Sequence, residues 1–436
     1  MAVLSKPSNF EPTPNFDHKK YINVKYNVDY EESHEKLVLQ HEPNEFELLN
    51  GCYSNIPPVM VSKSLTGDQK QMILDTCITP YPNVWDKDDY KVSRPAASKH
   101  IFPIRTVPDR LNINKKKYNQ SPEKEAFIHE TIQKLLEKEI VERCFDTTCV
   151  TPLLAVNKPG APPGVWRLAH DLTEVNKYTI KNLTGLPKPM SIAYELAGCH
   201  YITELDMSSG YWQLQIEPKD RYKTAFMAPD GQIYQWTRVP FGLDISGPLF
   251  CQTIMSQVLG PHAHKFCCAY ADNIYIGPKE DNFNLHLVQC ATILSRMNTD
   301  KFTAKGKKSF FAMKKLRVIG LEVSADGIKV NPDKLQALQQ MAIPLSKTAV
   351  RRFLGMANQY RSHVKDWATI ADPLCRLTEK GHPDKWTMDM VSEEVKTAFQ
   401  NTKLALMNPP ILSKPDPNRR KIFSTDASKL PPKHLL

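Results

Sequence analysis

Apolar residues recur along this chain at the spacing of strands in some segments and at the spacing of helices in others, which predicts a mixture of strands and helices. Apolar residues on both sides of residues 270–273 predict a β-hairpin whose tight turn carries Asp272 at its tip. Another apolar run, residues 201–205, predicts a strand that ends at Asp206. Further strands or hairpins are predicted for residues 153–156, for the alternating Trp212, Leu214 and Ile216, for residues 319–328 and for residues 421–428.

Three segments repeat apolar residues at helical spacing. Ser121 and Pro122 suit the start of a helix, and the apolar positions that follow predict a helix ending near Cys144. Residues 248–259 predict a helix that packs beside the hairpin. A helix beginning at Ser346 would place these apolar side chains on one face: Val350, Phe353, Leu354, Ala357, Tyr360 and Val364.

The composition is that of an ordinary soluble globular protein. The 436 residues are 41% hydrophobic and 24% charged, which suggests about two to four domains. The net charge is +10, yet residues 1–100 hold 11 Lys and Arg against 14 Asp and Glu, so the rest of the chain carries the positive charge. A basic body suits a polyanionic partner such as nucleic acid.

Several classes of protein are excluded or disfavoured. The ten cysteines show no Cys-x-x-Cys spacing, which predicts reduced thiols and no zinc knuckle. No apolar run reaches the length of a membrane span, and the first residues lack the apolar core of a signal peptide. We therefore expect an intracellular protein, cytoplasmic or nuclear, without a membrane partner. Neither Asp-Thr-Gly nor Asp-Ser-Gly occurs, which excludes an aspartic protease.

Two isolated acids at strand ends point to a metal site. Asp206 and Asp272 could clamp two divalent cations about 3.5–4 Å apart, the arrangement used in nucleotidyl transfer. An Asp at such a position can also simply cap a turn, and these two residues alone leave both roles open. Asn273 offers a carbonyl oxygen without charge, so it holds a cation less well while still suiting a tight turn.

Seven motifs, in order along residues 66–428, resemble the polymerase region of reverse transcriptases from long-terminal-repeat retroelements of the Ty3/gypsy or retroviral type. The metal box reads Tyr-Ala-Asp-Asn in this chain, where the family has Tyr-x-Asp-Asp. The motifs are the fingers motif (Trp166, Arg167, Asp171, Asn176), the first palm motif (205–211), the template-contacting motif (239–250), the metal box (270–273), the primer-gripping hairpin (319–321), the thumb motif (353–361) and the opening of a ribonuclease H fold (425–428).

The resemblance implies an α+β, right-hand polymerase fold: fingers, a palm with an antiparallel sheet, and a helical thumb, followed by the truncated start of a ribonuclease H-like domain. Ribonuclease H activity is not expected, because the further acids of that fold are missing. The expected divisions are an acidic irregular leader (1–65), an extended N-terminal segment (66–120), fingers and palm (121–331), thumb (332–410) and the ribonuclease H-like start (411–436).

The implied function is that of an RNA-directed DNA polymerase in a retroelement polyprotein. It would extend a primer on an RNA or DNA template from deoxynucleoside triphosphates, with two Mg²⁺ ions, or with Mn²⁺. By resemblance, Asp206 and Asp272 hold the metals together with the backbone carbonyl of Met207. Asn273 completes the catalytic box without its usual charge.

Five further residues are candidates for binding the nucleotide, and all but Lys158 lie in motifs that resemble the family. Arg167 and Lys158 would bind the triphosphate, and Tyr211 would lie under the sugar and exclude a 2′-hydroxyl. Phe241 and Gly242 would lie against the templating base. A solvated loop for Lys158 and ordinary aromatic packing for Tyr211 are the alternatives.

Basic residues indicate where primer and template would bind. Residues 301–317 contain seven Lys and Arg, no acid and three phenylalanines, so they could follow a phosphate backbone or merely form a solvated face. The candidates for nucleic-acid contact are Lys305, Lys307, Lys308, Gly320, Leu321, Arg351 and Arg352.

Asn273 leaves three accounts of activity open: an active enzyme with altered metal preference, a polymerase fold without activity, or a decayed element copy. The alternative function is a catalytically inactive protein that binds RNA or primer–template on the same fold. A third hypothesis is a protein-interaction role of residues 1–65.

Overall fold

The computed structural model describes residues 45–50, 57–86, 101–158, 162, 164–181, 185–330, 332–407 and 412. Most of the predicted leader and the predicted strand 421–428 lie outside these residues. Over the described ranges, no helix combines the length and the apolar character that crossing a bilayer would require.

Helices and strands both run through the described residues, as the two spacings of apolar residues predict. The α-helices are α1 (Gly67–Ile73), α2 (Pro122–Glu137), α3 (Thr173–Tyr178), α4 (Pro189–Leu196), α5 (Ser246–Thr253), α6 (Phe283–Asp300), α7 (Pro332–Gln340), α8 (Lys347–Asn358), α9 (Trp367–Arg376) and α10 (Glu393–Met407). The strands before residue 250 are β1 (Phe46–Leu49), β2 (Val59–Ser62), β3 (Trp85–Asp86), β4 (Ile101–Phe102), β5 (Ile113–Asn114), β6 (Val141–Arg143), β7 (Cys149–Asn157), β8 (Trp166–His170), β9 (Ile202–Asp206), β10 (Gln215–Ile216), β11 (Phe226–Met227) and β12 (Ile233–Trp236). The later strands are β13 (Cys267–Tyr270), β14 (Asn273–Ile276), β15 (Ala304–Lys305), β16 (Phe310–Met313), β17 (Lys315–Val318), β18 (Leu321–Ser324) and β19 (Gly327–Val330).

The central sheet has six strands in the order β1-β2-β16-β9-β14-β13. Strand β9 pairs antiparallel with β14 on one side and with β16 on the other. All five residues of β9 are buried, since the sheet is covered on both faces. Helix α4 packs against β13, and α6 packs against β14. This packing fixes the strand ends that carry the two predicted metal acids.

A second sheet, which we call the N-terminal sheet, has the order β5-β7-β11-β12-β6, and β8 pairs with β7. Helix α2 packs on β7 and β8. Phe127 of α2 meets Trp166 of β8 edge to face, with ring centroids 5.9 Å apart. A separate three-stranded sheet, β17-β18-β19, precedes the four helices α7 to α10.

Two hydrophobic cores hold these elements together. The first joins the N-terminal sheet to one face of the central sheet. The second joins the opposite face to the three-stranded sheet and to helices α7 to α10. Phe302, Phe310 and Phe311, the three rings of the basic segment 301–317, are all buried in these cores. Their side chains therefore pack the protein interior.

The helix predicted from Ser121 is α2, which starts as expected but ends at Glu137 instead of near Cys144. Glu139 has a φ of 55°, in the left-handed region, and this stops the helix. Ile140, the last residue of the apolar pattern, lies beyond the helix and is buried there.

The strand predicted from the alternation between Trp212 and Ile216 is wrong over most of its length. Ser209 has a φ of 44°, and Gly210–Gln213 form a short 3₁₀-helix that contains Trp212. Only β10 is extended. The reversal at Ser209 explains why an alternating pattern here does not produce a strand.

The helix predicted from Ser346 is α8, and the hydroxyl of Ser346 accepts a hydrogen bond of 3.1 Å from the N–H of Ala349. The helix ends at Asn358, earlier than the apolar pattern suggests. Tyr360 and Val364 follow it in turns, and both are buried.

Candidate active site

The hairpin predicted around residues 270–273 is present. Strands β13 and β14 pair antiparallel, with Tyr270 opposite Asn273, so that Ala271 and Asp272 form a two-residue turn. Ala271 has a φ of 52°, in the left-handed region that such turns require. Asp272 is thereby held at the tip, as the sequence predicts.

Asp206 and Asp272 lie at the same edge of the central sheet. The register of β9 and β14 places Asn273 directly opposite Asp206. Just beyond that pair, the N–H of Met207 donates a hydrogen bond of 2.9 Å to the carbonyl oxygen of Asp272. Asp206 and Asp272, the two predicted metal ligands, therefore lie at the ends of neighbouring strands, although 66 positions separate them in the sequence.

Gly210 completes the contact between the two strand ends. A Cβ built on Gly210 would lie 3.1 Å from the Cβ of Asp272 and 3.1 Å from the ring of Phe250. Asp272 therefore packs directly over the segment that follows Asp206, and a glycine is needed at this close approach.

Ser309 is a functional candidate that sequence reasoning missed. The backbone N–H of Asp206 donates a hydrogen bond of 3.2 Å to the hydroxyl of Ser309. That hydroxyl donates in turn to the carbonyl oxygen of Lys305, at 2.9 Å. Ser309 is completely buried. The contact joins segments more than 100 residues apart, and no local pattern signals it.

The donor set at this edge suits a hard divalent cation. Asp206 and Asp272 offer carboxylates, and the side chain of Met207 is buried, so its contribution would come from the backbone carbonyl. Among the described residues, no group of three or more His, Cys, Asp or Glu side chains could hold a metal ion, so the candidate donors at this edge are two carboxylates and one backbone carbonyl. Two carboxylates and a carbonyl fit Mg²⁺, which fills the rest of its shell with water and phosphate oxygens.

Asn273 is held by a side chain that sequence reasoning did not single out. Its amide donates a hydrogen bond of 2.8 Å to Oε1 of Glu204, and its nitrogen lies 3.3 Å from the hydroxyl of Tyr275. Glu204 and Asn273 are 6% and 5% exposed. Burial, and then the carboxylate of Glu204, raise the pKa of Tyr275 well above its usual value.

Tyr211 lies in an aromatic group beside the two acids. Its ring centroid is 5.0 Å from that of Phe241 and 5.7 Å from that of Phe250. The side chain is half-buried. The aromatic packing that was the alternative role of Tyr211 is therefore present, and it leaves part of the ring open to a ligand.

Gly242 adopts a φ of 103°, and a Cβ there would lie 2.8 Å from the carbonyl oxygen of His170. The side chain of Asn176 braces the same loop. Its amide nitrogen donates to the carbonyl of Gly242 at 2.8 Å, and its oxygen accepts from the N–H of Asp244 at 3.1 Å. Asp244 also forms an ion pair of 3.1 Å with Lys181. The motif residue Asn176 thus shapes the loop that carries Phe241 and Gly242.

Lys158 and Arg167 lie on the hairpin of β7 and β8. Arg167 is opposite Val156, and the N–H of Lys158 donates to the carbonyl of Val165 at 2.9 Å, which continues the pairing. Because side chains alternate along a strand, Lys158 and Arg167 share one face of this hairpin. The neighbouring Trp166 faces α2 instead.

Asp171, which follows β8, ties the hairpin to the preceding segment. It accepts hydrogen bonds from Lys115 at 2.5 Å, from Tyr118 at 2.6 Å and from the hydroxyl of Thr173 at 2.6 Å. Burial alone would raise the pKa of Asp171, but these bonds outweigh it and hold the pKa below its usual value. Asp171 therefore fixes the fingers motif, which also contains Arg167, to the segment of Lys115 and Tyr118.

The predicted nucleic-acid contacts are spread over three places. Lys307 is exposed, and Lys305 and Lys308 are half-buried. Arg351 and Arg352 are exposed on α8, and Arg351 donates to the carbonyl of Thr378 at 3.2 Å.

The turn between β17 and β18 holds Gly320, whose carbonyl accepts from the hydroxyl of Tyr360 at 3.4 Å. Gln359 donates to the carbonyl of Ile319 at 3.1 Å, so the turn is fixed to the end of α8. Leu321 is 1% exposed and packs in the second core. Contact with a ligand at this turn is thus open to Gly320 and not to the side chain of Leu321.

Residues 156–357 match the protein family described as "Reverse transcriptase (RNA-dependent DNA polymerase)". The Pol polyprotein of the transposon opus from Drosophila melanogaster is 27% identical over 389 residues, which cover 87% of this chain and 38% of the relative. The Pol polyprotein of the transposon gypsy from the same organism is 30% identical over 336 residues, covering 74% of this chain and 32% of the relative. The chain thus spans about a third of the length of these two relatives.

The fold is similar to that of a foamy viral protease-reverse transcriptase solved in complex with double-stranded DNA. The TM-score is 0.70 at 19% sequence identity, over 94% of this chain and 64% of the other. This likeness confirms the predicted α+β, right-hand polymerase fold for the described residues. The family match identifies residues 156–357 as a reverse-transcriptase domain, and the similar relatives are retrovirus-related Pol polyproteins of transposons.

Proposed function

We propose that this chain extends the 3′-end of a primer with deoxynucleotides on an RNA or DNA template. The observation that carries the proposal is the hydrogen bond of 2.9 Å from Met207 to Asp272, which brings the strand ends of Asp206 and Asp272 together. We also propose that residues 121–331 act as fingers and palm and residues 332–410 as thumb, with 1–65 and 66–120 preceding them and 411–436 beginning a ribonuclease H-like domain.

Asp206, Asp272 and the carbonyl of Met207 would hold two Mg²⁺ ions, with Mn²⁺ as a substitute. Bound there, the metals would lower the pKa of the primer 3′-hydroxyl and neutralise the triphosphate and the departing pyrophosphate. The protein itself fixes the two carboxylates: Ser309 holds the backbone of Asp206, and the Ala271–Asp272 turn presents the second acid.

The substrate would lie between the hairpin of β7 and β8 and the central sheet. Lys158 and Arg167 share one hairpin face and would bind the triphosphate, since guanidinium and ammonium groups suit phosphate oxygens. Tyr211 would exclude a 2′-hydroxyl. Phe241 and Gly242 would lie against the templating base, on the loop braced by Asn176.

The primer–template would contact the basic segment and the helical region after residue 332. Lys305 is joined to the strand end of Asp206 through Ser309, and Lys307 and Lys308 follow it in the same basic segment. Gly320, Arg351 and Arg352 are further candidates on the turn and on α8. The similar foamy viral protein was solved in complex with double-stranded DNA, which supports a duplex ligand of this kind.

Asn273 contributes an uncharged oxygen at a position where the family motif has a carboxylate. A divalent cation would therefore be held by less negative charge, and extension should be slower with Mg²⁺ than in a site with three acids. Asp206 and Asp272 would remain the principal ligands.

Primer extension with Mg²⁺, and separately with Mn²⁺, tests the proposal. Asp272→Asn should abolish product with either metal. Asp326→Asn is a matched control, because Asp326 occupies the same second position of an Ala-Asp turn between β18 and β19 and is 70% exposed. Retained extension in Asp272→Asn would contradict the proposal.

Duplex affinity measured against salt separates the enzyme from a protein that only binds nucleic acid. A steep fall of affinity with salt is expected if several phosphates are contacted. Salt-sensitive binding by a native chain that extends no primer would favour the inactive, nucleic-acid-binding alternative.

A further inference from the structure

Four polar side chains share one face of the central sheet. Asn273 is opposite Asp206, and Tyr275 is opposite Glu204, in the register of β14 and β9. Opposed residues, and residues two apart on a strand, point to the same side of a sheet. Glu204 is therefore a diagonal neighbour of Asn273 and lies on the same face as Asp206.

The contact between Glu204 and Asn273 is short and buried. The amide of Asn273 donates to Oε1 of Glu204 at 2.8 Å, and both residues are at most 6% exposed. A hydrogen bond to a carboxylate is strong in such a setting, and a buried polar group that loses its partner is costly. The hydroxyl of Tyr275, 3.3 Å from the same nitrogen, closes the group.

Asn273 is the donor and Glu204 the acceptor in this hydrogen bond, and the donor role depends on the amide at position 273. An Asp there would replace the donating nitrogen with a second acceptor facing Oε1 of Glu204. Two acceptor oxygens at that separation, with no hydrogen between them, repel each other, so the two side chains must move apart. That movement would displace the residue next to Asp272.

We propose that Glu204 is a positioning residue for the metal box: its carboxylate holds Asn273, and a carboxylate at position 273 becomes compatible with the site only when residue 204 offers a hydrogen-bond donor in place of the Glu204 carboxylate. The expected effect on primer extension rests on the proposed function, whereas the pairing of Glu204 with Asn273 does not.

A double-mutant cycle tests this inference with Glu204→Gln, Asn273→Asp and the two combined, each measured by urea unfolding. The urea midpoint should fall in each single variant and recover in the double variant, because the introduced glutamine amide can donate to the introduced carboxylate. Additive effects of the two substitutions would overturn the pairing.

The matched control for the cycle is Gln235→Glu. Gln235 donates to Glu142 at 2.7 Å across two strands, so the substitution also sets two carboxylates against each other. Arg221 binds Glu142 as well and offsets the added charge, so the urea midpoint should change less than in Asn273→Asp.

Primer extension on the same variants tests positioning as distinct from stability. The double variant should extend faster than the native chain with Mg²⁺, on the order of tenfold, while Asn273→Asp alone should not. The ratio of the Mg²⁺ rate to the Mn²⁺ rate should also rise, which a purely structural pairing would not change.

An Asn273→Asp variant as stable as the native chain and as active as the double variant would overturn the inference. If the native chain and all variants fail to extend a primer with either metal, the proposed function fails. The unfolding cycle then decides the Glu204–Asn273 pairing by itself.

Discussion

The position where Gly210 would carry a Cβ lies 3.1 Å from the Cβ of Asp272. The same position is 3.1 Å from the buried ring of Phe250, so neither neighbour can move away freely. The segment after Asp206 and the turn of the metal box are thus in direct contact. The spacing between Asp206 and Asp272 therefore depends on residue 210 being a glycine.

Gly210→Ala should therefore lower both stability and extension. Overpacking of this kind costs about 1–3 kcal/mol, and here the displaced atom belongs to Asp272. Urea unfolding and primer extension measure the two effects. Gly355→Ala is the control: Gly355 lies in α8, nothing lies within 4 Å of its Cβ position, and the substitution should stabilise the helix by about 0.5–1 kcal/mol. Unchanged extension in Gly210→Ala would contradict the packing argument.

Asn176→Ala should loosen the loop that carries Phe241 and Gly242. It removes two hydrogen bonds, to the carbonyl of Gly242 and from the N–H of Asp244, and should cost about 1–2 kcal/mol. Because the loop would contact the templating base, the KM for the nucleotide should rise more than kcat falls. Steady-state extension kinetics measure this, and Asn284→Ala on the exposed surface of α6 should leave both constants unchanged. An equal fall of kcat in both variants would count against the loop argument.

His170 should make the fold sensitive to acid. Trp236 donates to its Nδ1 at 3.1 Å, so the proton lies on Nε2, which is 2.7 Å from the hydroxyl of Thr151. Burial lowers the pKa of His170 to about 3, far below the 6.5 of an exposed histidine. The neutral ring therefore contributes its full stability above pH 6.5, and this is lost as the pH falls from there towards 3.

The expected loss is about 2 kcal/mol between pH 7.5 and pH 5, because each pH unit below 6.5 costs about 1.4 kcal/mol. Urea unfolding at the two pH values measures it. His170→Gln should remove this loss, whereas His382→Gln, at an exposed site, should keep it. An equal pH dependence in native protein and His170→Gln would show that another group is responsible.

Tyr211→Ala should weaken the choice of deoxynucleotides over ribonucleotides. Removing the ring opens the space beside Phe241 and Phe250 where the sugar would lie. The ratio of kcat/KM for the two kinds of nucleotide should fall by on the order of tenfold or more. Tyr211→Phe keeps the ring and should retain the selectivity. A ratio unaffected by Tyr211→Ala would assign the ring to packing alone.

The sequence predicts the metal-box hairpin well, because its signals are local. The apolar strands and the polar turn around Asp272 specify a two-residue hairpin without any distant contact. The order of motifs correctly predicts the right-hand fold. It also predicts that Asp206 and Asp272 lie close together, and the backbone bond at Met207 joins their strand ends, while their role as metal ligands stays a prediction.

The supporting contacts were not predictable in the same way. Ser309 reaches Asp206 across 103 positions, and Glu204 reaches Asn273 across 69. Periodicity along one segment carries no information about such partners. The strand predicted at Trp212 fails for a related reason: the left-handed turn at Ser209 belongs to a non-glycine residue, where composition gives no warning.

The order of the central sheet bears on how the protein acquires its fold. Strand β9 lies between β14 and β16, and β16 also pairs with β2, so the sheet joins residues near 60 to residues near 310. A growing chain cannot complete this sheet until Met313 has been made. Until then, β9 has an unpaired edge and is a site for aggregation, because non-local pairings form late. Fragments that stop between β14 and β16 should therefore be poorly soluble even though they contain both metal acids.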